Sequence, residues 1–169
     1  MARAAGFPPI ADSAATVLVL GSLPSVRSIE AHEYYAHPQN AFWRIMGKIV
    51  GAGPELPYQK RTELLRENRV AVWDVLASSV RPGSMDSDID ESTANANDFS
   101  SFFKTYADIR LVCFNGQKAA GLFEKLVLSK HPTLMQGMRF ETLPSTSPAF
   151  ASMSFDEKLE KWSIVLRCK

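Results

Sequence analysis

Cysteine is nearly absent: Cys113 and Cys168 are the only two among 169 residues, which leaves no disulfide framework. An iron–sulfur cluster held by four thiolates is excluded for the same reason. Histidine is scarce too. His32, His37 and His131 share no ligand-like spacing with each other or with the cysteines, so no metal site is expected. Long apolar runs are missing. Thr16–Leu20 and Leu111–Phe114 are far too short to cross a bilayer, and Met1–Pro9 holds no stretch that reads as a signal peptide. The expectation is a cytoplasmic protein with no cofactor and no membrane partner, and a monomer. An excess of charge of one sign is also lacking. The net charge of +1 does not announce a nucleic-acid binder, but Asp86, Asp88, Asp90, Glu91 and Asp98 crowd into one segment, leaving the rest of the chain more basic.

What is present is apolar: 46% of the residues, enough to bury one real core in a single domain spanning residues 1–169. Thr16–Leu20, Val70–Leu76, Ile109–Phe114 and Met138–Leu143 read as buried strands. Between and after them, Asn40–Val50, Tyr58–Asn68, Asp98–Thr105, Gly116–Leu128 and Phe155–Leu166 read as helices. Ser154 is a plausible cap for the last, with Asp156 and Glu157 in its first turn. The acidic run Asp86–Glu91 reads as a solvated loop. Strands alternating with helices predict a three-layer α/β/α sandwich around a central, mainly parallel four-stranded sheet.

Ligands of such sheets bind at the carboxyl ends of the strands. That rule selects Gly21–Ser25, Asp74–Gly83, Asn115-Gly116 and Leu143–Pro148, and with them Ser22, Asp74, Asn115, Ser145 and Ser147. One further stretch stands out: Tyr34-Tyr35-Ala36-His37-Pro38-Gln39-Asn40-Ala41-Phe42-Trp43 packs rings, an amide and a His–Pro break directly before a helix.

Together with Gly21-Ser22-Leu23-Pro24, this run resembles the first motif region of the mismatch-specific uracil-DNA glycosylases, and Leu143-Pro144-Ser145 occupies the place of the superfamily's second motif. The chain resembles the hypoxanthine-DNA glycosylase family of that superfamily more closely. Residues 21–24, 34–43, 73–76, 114–116 and 143–149 follow that family's five motifs in order. The resemblance implies a cofactor-free enzyme that flips a deaminated base out of DNA and hydrolyses its N-glycosidic bond, in base excision repair. Hypoxanthine is the expected base, with uracil as a second candidate.

The departures from the mismatch-specific branch matter as much. Leu23 stands where that branch positions water with an Asn, and Leu143 where its second motif opens with Asn or His. Leucine can do neither job. The hypoxanthine family implies that the catalytic amide is Asn40. Its competing role is an ordinary helix cap, and both roles can coexist if only one amide atom is used. For the base, Asn115 is the candidate reader or else a turn residue, Asp74 accepts from a base N–H or anchors a loop, and Tyr35 stacks on the base or covers the sheet edge. Backbone amides at Ser22 and Leu23 complete the set. Ser145, Thr146 and Ser147 are candidates for gripping flanking phosphates or for loop capping. The apolar wedge of related enzymes is replaced by Ser147, with Phe150 as a substitute. Phe42 and Trp43 belong to the core, and His37 is structural rather than a general base. No Lys falls in a strand-end motif, so a covalent lyase step is not expected.

Two other readings follow from the same residues. The two leucines suit a non-catalytic damaged-DNA binding module on this fold. A nucleoside hydrolase would need an acidic cation-binding cluster at a strand end.

Overall fold

The computed structural model describes residues 3–168. Met1, Ala2 and Lys169 lie outside the described residues, as does the side chain of Cys168. Four strands, β2 (Val17–Gly21), β3 (Val70–Asp74), β6 (Leu111–Asn115) and β7 (Arg139–Leu143), form a wholly parallel sheet in the order β3-β2-β6-β7. Strands β2, β3 and β6 are buried throughout, and their alternation assigns the two faces. Val17, Val19, Val70, Val72, Leu111 and Cys113 point to one face. Leu18, Leu20, Ala71, Trp73, Val112 and Phe114 point to the other. With strict period 2, one strand feeds both cores.

The first face is covered by α2 (Phe42–Val50), α3 (Tyr58–Glu67) and α6 (Phe155–Trp162), through Phe42, Ile45, Met46, Leu65 and Trp162. The second is covered by α4 (Phe99–Thr105) and α5 (Gln117–Phe123), through Phe99, Phe102, Phe103, Leu122 and Phe123. This is the expected α/β/α sandwich, and Cys113 is a buried core residue as read. Among the described residues, no helix is long and apolar enough to cross a membrane.

Three features depart from expectation. The run Val70–Leu76 is not one strand. It leaves the parallel sheet after Asp74 and re-enters pairing as β4 (Leu76–Val80), the centre of a second, antiparallel sheet with β1 (Arg3–Ala5) and β5 (Asp90–Ala96). The acidic run is not a solvated loop either. Asp86–Asp88 is a 3-10 turn, and Asp90 and Glu91 open β5, whose small polar residues carry no alternation that could announce a strand. The ladder to β4, with its two irregularities, supplies what local propensity lacks. A short helix, α1 (Val26–Ala31), follows the first turn, capped by Ser25 accepting from the Ser28 N–H. At the other end, α6 stops at Trp162 and continues as a 3-10 turn.

Candidate active site

Strands β2, β3, β6 and β7 end at Gly21, Asp74, Asn115 and Leu143, so one edge of the sheet gathers the residues selected by the strand-end rule. Gly21 is required by contact rather than by backbone angle. A Cβ there would stand 2.6 Å from Asp74 Oδ1 and 2.7 Å from the Tyr35 hydroxyl. Gly21→Ala is therefore expected to destabilise the fold by about 1–3 kcal/mol through overpacking, and to displace Asp74 and Tyr35 together. A melting temperature equal to that of the wild type would show that the two side chains have room to withdraw.

Tyr35 adopts φ +55, which is strained for an aromatic residue. Its ring stacks on Phe42 at 4.2 Å between centroids, and its buried hydroxyl makes no hydrogen bond. Burial first, and Asp74 second, push that phenol well above its ordinary range. The neighbouring Asn115 amide opposes the shift. Asp74 is 4% exposed, and its Oδ2 is likewise unpaired. Burial raises its carboxyl to about 7, with Arg81 opposing the rise and Asp86 adding to it.

Asn115 is committed at both amide atoms. Its Nδ2 donates to Thr146 Oγ1 at 2.9 Å, and its Oδ1 accepts from the Thr146 N–H at 2.9 Å. One Nδ2 proton and one Oδ1 lone pair are not used by Thr146. Thr146 corrects the expectation of a phosphate contact: it is 1% exposed, with its oxygen turned inward to accept from Asn115. Its carbonyl accepts from the Ala41 N–H at 2.9 Å, so it ties the loop after β7 to the start of α2. Ser145 and Ser147 are part-exposed; their oxygens accept from the N–H groups of Ser147 and Ala149, leaving the hydroxyl protons to donate. Phe150 projects at 37% exposure, and Lys158 Nζ donates to its carbonyl at 2.8 Å.

Asn40 does cap a helix. Its Oδ1 accepts from the Phe42 N–H at 2.9 Å, although the residue flanking the helix is Ala41. An amide oxygen has a second lone pair and the Nδ2 protons are unused, so the cap orients the group without consuming it. His37 Nδ1 accepts from the Gln39 N–H, a turn contact that supports its structural reading.

The first turn is held from a distance. Leu23 is 6% exposed, packed in the core with Trp73, so only its backbone can face a ligand. Arg81, which is 7% exposed, donates from Nη1 to the Leu23 carbonyl at 3.3 Å and from Nη2 to that of Pro24. Ser22 Oγ donates to Asp86 Oδ1 at 2.6 Å. Asp86 was not selected from the sequence, because its contact with Ser22 joins positions 64 residues apart, and Arg81, although inside the selected stretch Asp74–Gly83, was not singled out. Lys158, on α6, was missed similarly. Beside the loop after β7, a groove of about 740 Å³ is lined by Ser145, Phe150, Met153, Lys161 and Arg167, away from Asn40. Among the described residues, no three His, Cys, Asp or Glu side chains are grouped to hold a metal.

The arrangement offers neutral amides, hydroxyls and two carboxylates around one strand-end edge. Comparison with known proteins agrees in kind. The model of the Uracil DNA glycosylase superfamily matches residues 8–166. A hypoxanthine DNA glycosylase of Methanosarcina acetivorans is 38% identical over 165 residues, covering 96% of this chain and 97% of that one. Another, from Methanosarcina barkeri, is 36% identical over 138 residues, covering 81% and 80%. A solution NMR structure from Methanosarcina acetivorans, described with the uracil DNA glycosylases, superposes with a TM-score of 0.79 at 35% identity, covering 99% of both chains.

Proposed function

The chain belongs to the uracil DNA glycosylase superfamily and is a DNA glycosylase, and from that premise we propose that it releases hypoxanthine from deoxyinosine in DNA. Uracil is the second base to be tested, and base excision repair is the setting. The enzyme acts as a monomer on DNA containing deaminated bases, and needs no cofactor.

Breaking the bond develops positive charge on the sugar and negative charge on the departing base. Asn40 is the catalytic residue in this reading. It orients the attacking water through the lone pair and N–H groups that its cap contact leaves free. The base, flipped from the stack, meets Asn115, Asp74, the Tyr35 ring and the backbone at Ser22 and Leu23. Hypoxanthine and uracil each carry a carbonyl beside an N–H, which the remaining donor and acceptor of Asn115 complement. Ser145 and Ser147 hold flanking phosphates, and Phe150 is the wedge that fills the vacated stack.

The observation that supports this reading is the hydrogen-bonded path from Asn115 through Thr146 to the backbone of Ala41, the residue after Asn40, which ties the candidate base reader to the segment that carries the candidate water-orienting amide. Such fixed polar groups stabilise charge where it develops without reorganising. The non-catalytic binding module rested on Leu23 and Leu143, and both side chains pack into the core, leaving catalysis to other residues.

The test is a base-release assay with chelator present, on duplexes and single strands carrying one deoxyinosine, uracil or xanthine. Deoxyinosine is expected to yield an alkali-labile site and free hypoxanthine. Absence of cleavage on every substrate would sink the proposal.

A further inference from the structure

Resting on the deoxyinosine reading, we infer that Asp86 is a further catalytic residue, held by Ser22 so that its carboxylate balances the sugar's developing positive charge and takes the proton of the attacking water. Such a group would complement Asn40. Asn40 is neutral at every working pH. Its amide can orient water but is no base. Leu23, in the turn after the central strand, sends its side chain into the core and offers no polar group there.

Asp86 reaches that turn through tertiary structure. A serine hydroxyl has one proton, and Ser22 commits it to Asp86 Oδ1 at 2.6 Å, a charge-assisted length. Ser22 directly follows Gly21, so the carboxylate stands at the carboxyl end of the central strand. It faces the same cluster from outside. Its charge adds to the upward shift of Asp74 and of Tyr35, and it favours the cationic form of Arg81. Asp74 and the Tyr35 hydroxyl meet beside Gly21, and the Asp74 Oδ2 and that hydroxyl are buried without a hydrogen-bond partner, which leaves polar capacity for a ligand at this end of the sheet. Asp74 is 4% exposed, whereas Asp86 is part-exposed and open to water.

In the step assigned, the water oxygen bonds to C1′ while the C1′–N9 bond breaks, and its electron pair leaves on hypoxanthine. The water's proton passes to Asp86 and then to solvent, which reprotonates the base.

Two variants separate charge from latch. In Asp86→Asn the amide oxygen can still accept from Ser22, but the charge is gone. In Ser22→Ala the charge stays and the hydrogen bond is gone. On a duplex with one deoxyinosine, Asp86→Asn is expected to slow single-turnover base release about 100-fold. Its binding to a duplex with a tetrahydrofuran abasic analogue should be equal or tighter, because a negative charge near phosphates has been removed. Ser22→Ala should slow release far less. Thermal melts of both variants confirm folding. A wild-type rate in Asp86→Asn, or equal rate losses in the two variants accompanied by weaker binding, would overturn the inference and leave the deoxyinosine reading standing. A wild-type protein inert toward deoxyinosine overturns both.

Discussion

Asn40→Ala is expected to slow hypoxanthine release about 10²- to 10³-fold while leaving DNA binding near the wild-type level, the scale of losing one preorganised polar group at a reacting centre. The variant also removes the acceptor for the Phe42 N–H. Losing a helix cap costs about 1 kcal/mol, which lowers the melting temperature of a protein this size by roughly 2–4 °C. A protein that remains folded at the assay temperature cannot lose two orders of magnitude in rate through that shift. Asn40→Asp separates the two effects on the stability side. It keeps the acceptor and places a negative charge at the start of α2, where the helix dipole favours it, so its melting temperature should match or exceed the wild type. Single-turnover kinetics on a deoxyinosine duplex, alongside melts of the three proteins, decide the matter. If Asn40→Ala retains the wild-type rate, Asn40 is a cap and nothing more.

The second large effect concerns Asp74. Its native carboxyl titrates at about 7, against an ordinary value of 3.8, chiefly because burial penalises the charged form. The native state therefore binds a proton more tightly than the unfolded chain does. The stability this contributes is complete below about pH 4 and is lost as pH rises through 7. Asp74→Asn carries no such titration. The stability of Asp74→Asn relative to wild type should thus increase between pH 4 and pH 8.5, by up to about 4 kcal/mol. Urea unfolding of both proteins at the two pH values measures it. A pH-independent difference would mean that Asp74 is ionised in the native protein at neutral pH. Asp86 adds to the shift, so Asp86→Asn should also bring the Asp74 transition to lower pH.

These predictions fall on residues that were unequally legible. Asn40 stood out because its setting is local: rings, a His–Pro break and an amide directly before a helical run, to which the family resemblance added the catalytic role. The structure shows the capping contact at one lone pair of its oxygen and leaves the rest of the amide available. Asn115 and Thr146 were both visible as strand-end residues, but nothing in their spacing said that they would bond to each other. That pairing takes Thr146 away from phosphates and makes it the link to Ala41. Asp86 was read as part of a solvated acidic run, because charged and small residues without alternation look alike whether they face water or a site.

The amino-acid sequence by itself determined the layered α/β architecture, the four parallel strands and the residues at their ends. Periods of two and of 3.6 residues are written in the local order of apolar side chains, and burial on both sheet faces follows from them. The tertiary structure alone decided which polar atoms are consumed and which are left. It turned the Thr146 oxygen inward to Asn115, buried Asp74 and brought Asp86 to Ser22. Those outcomes depend on segments far apart in the chain meeting at one sheet edge, and no local period records where a distant loop will land.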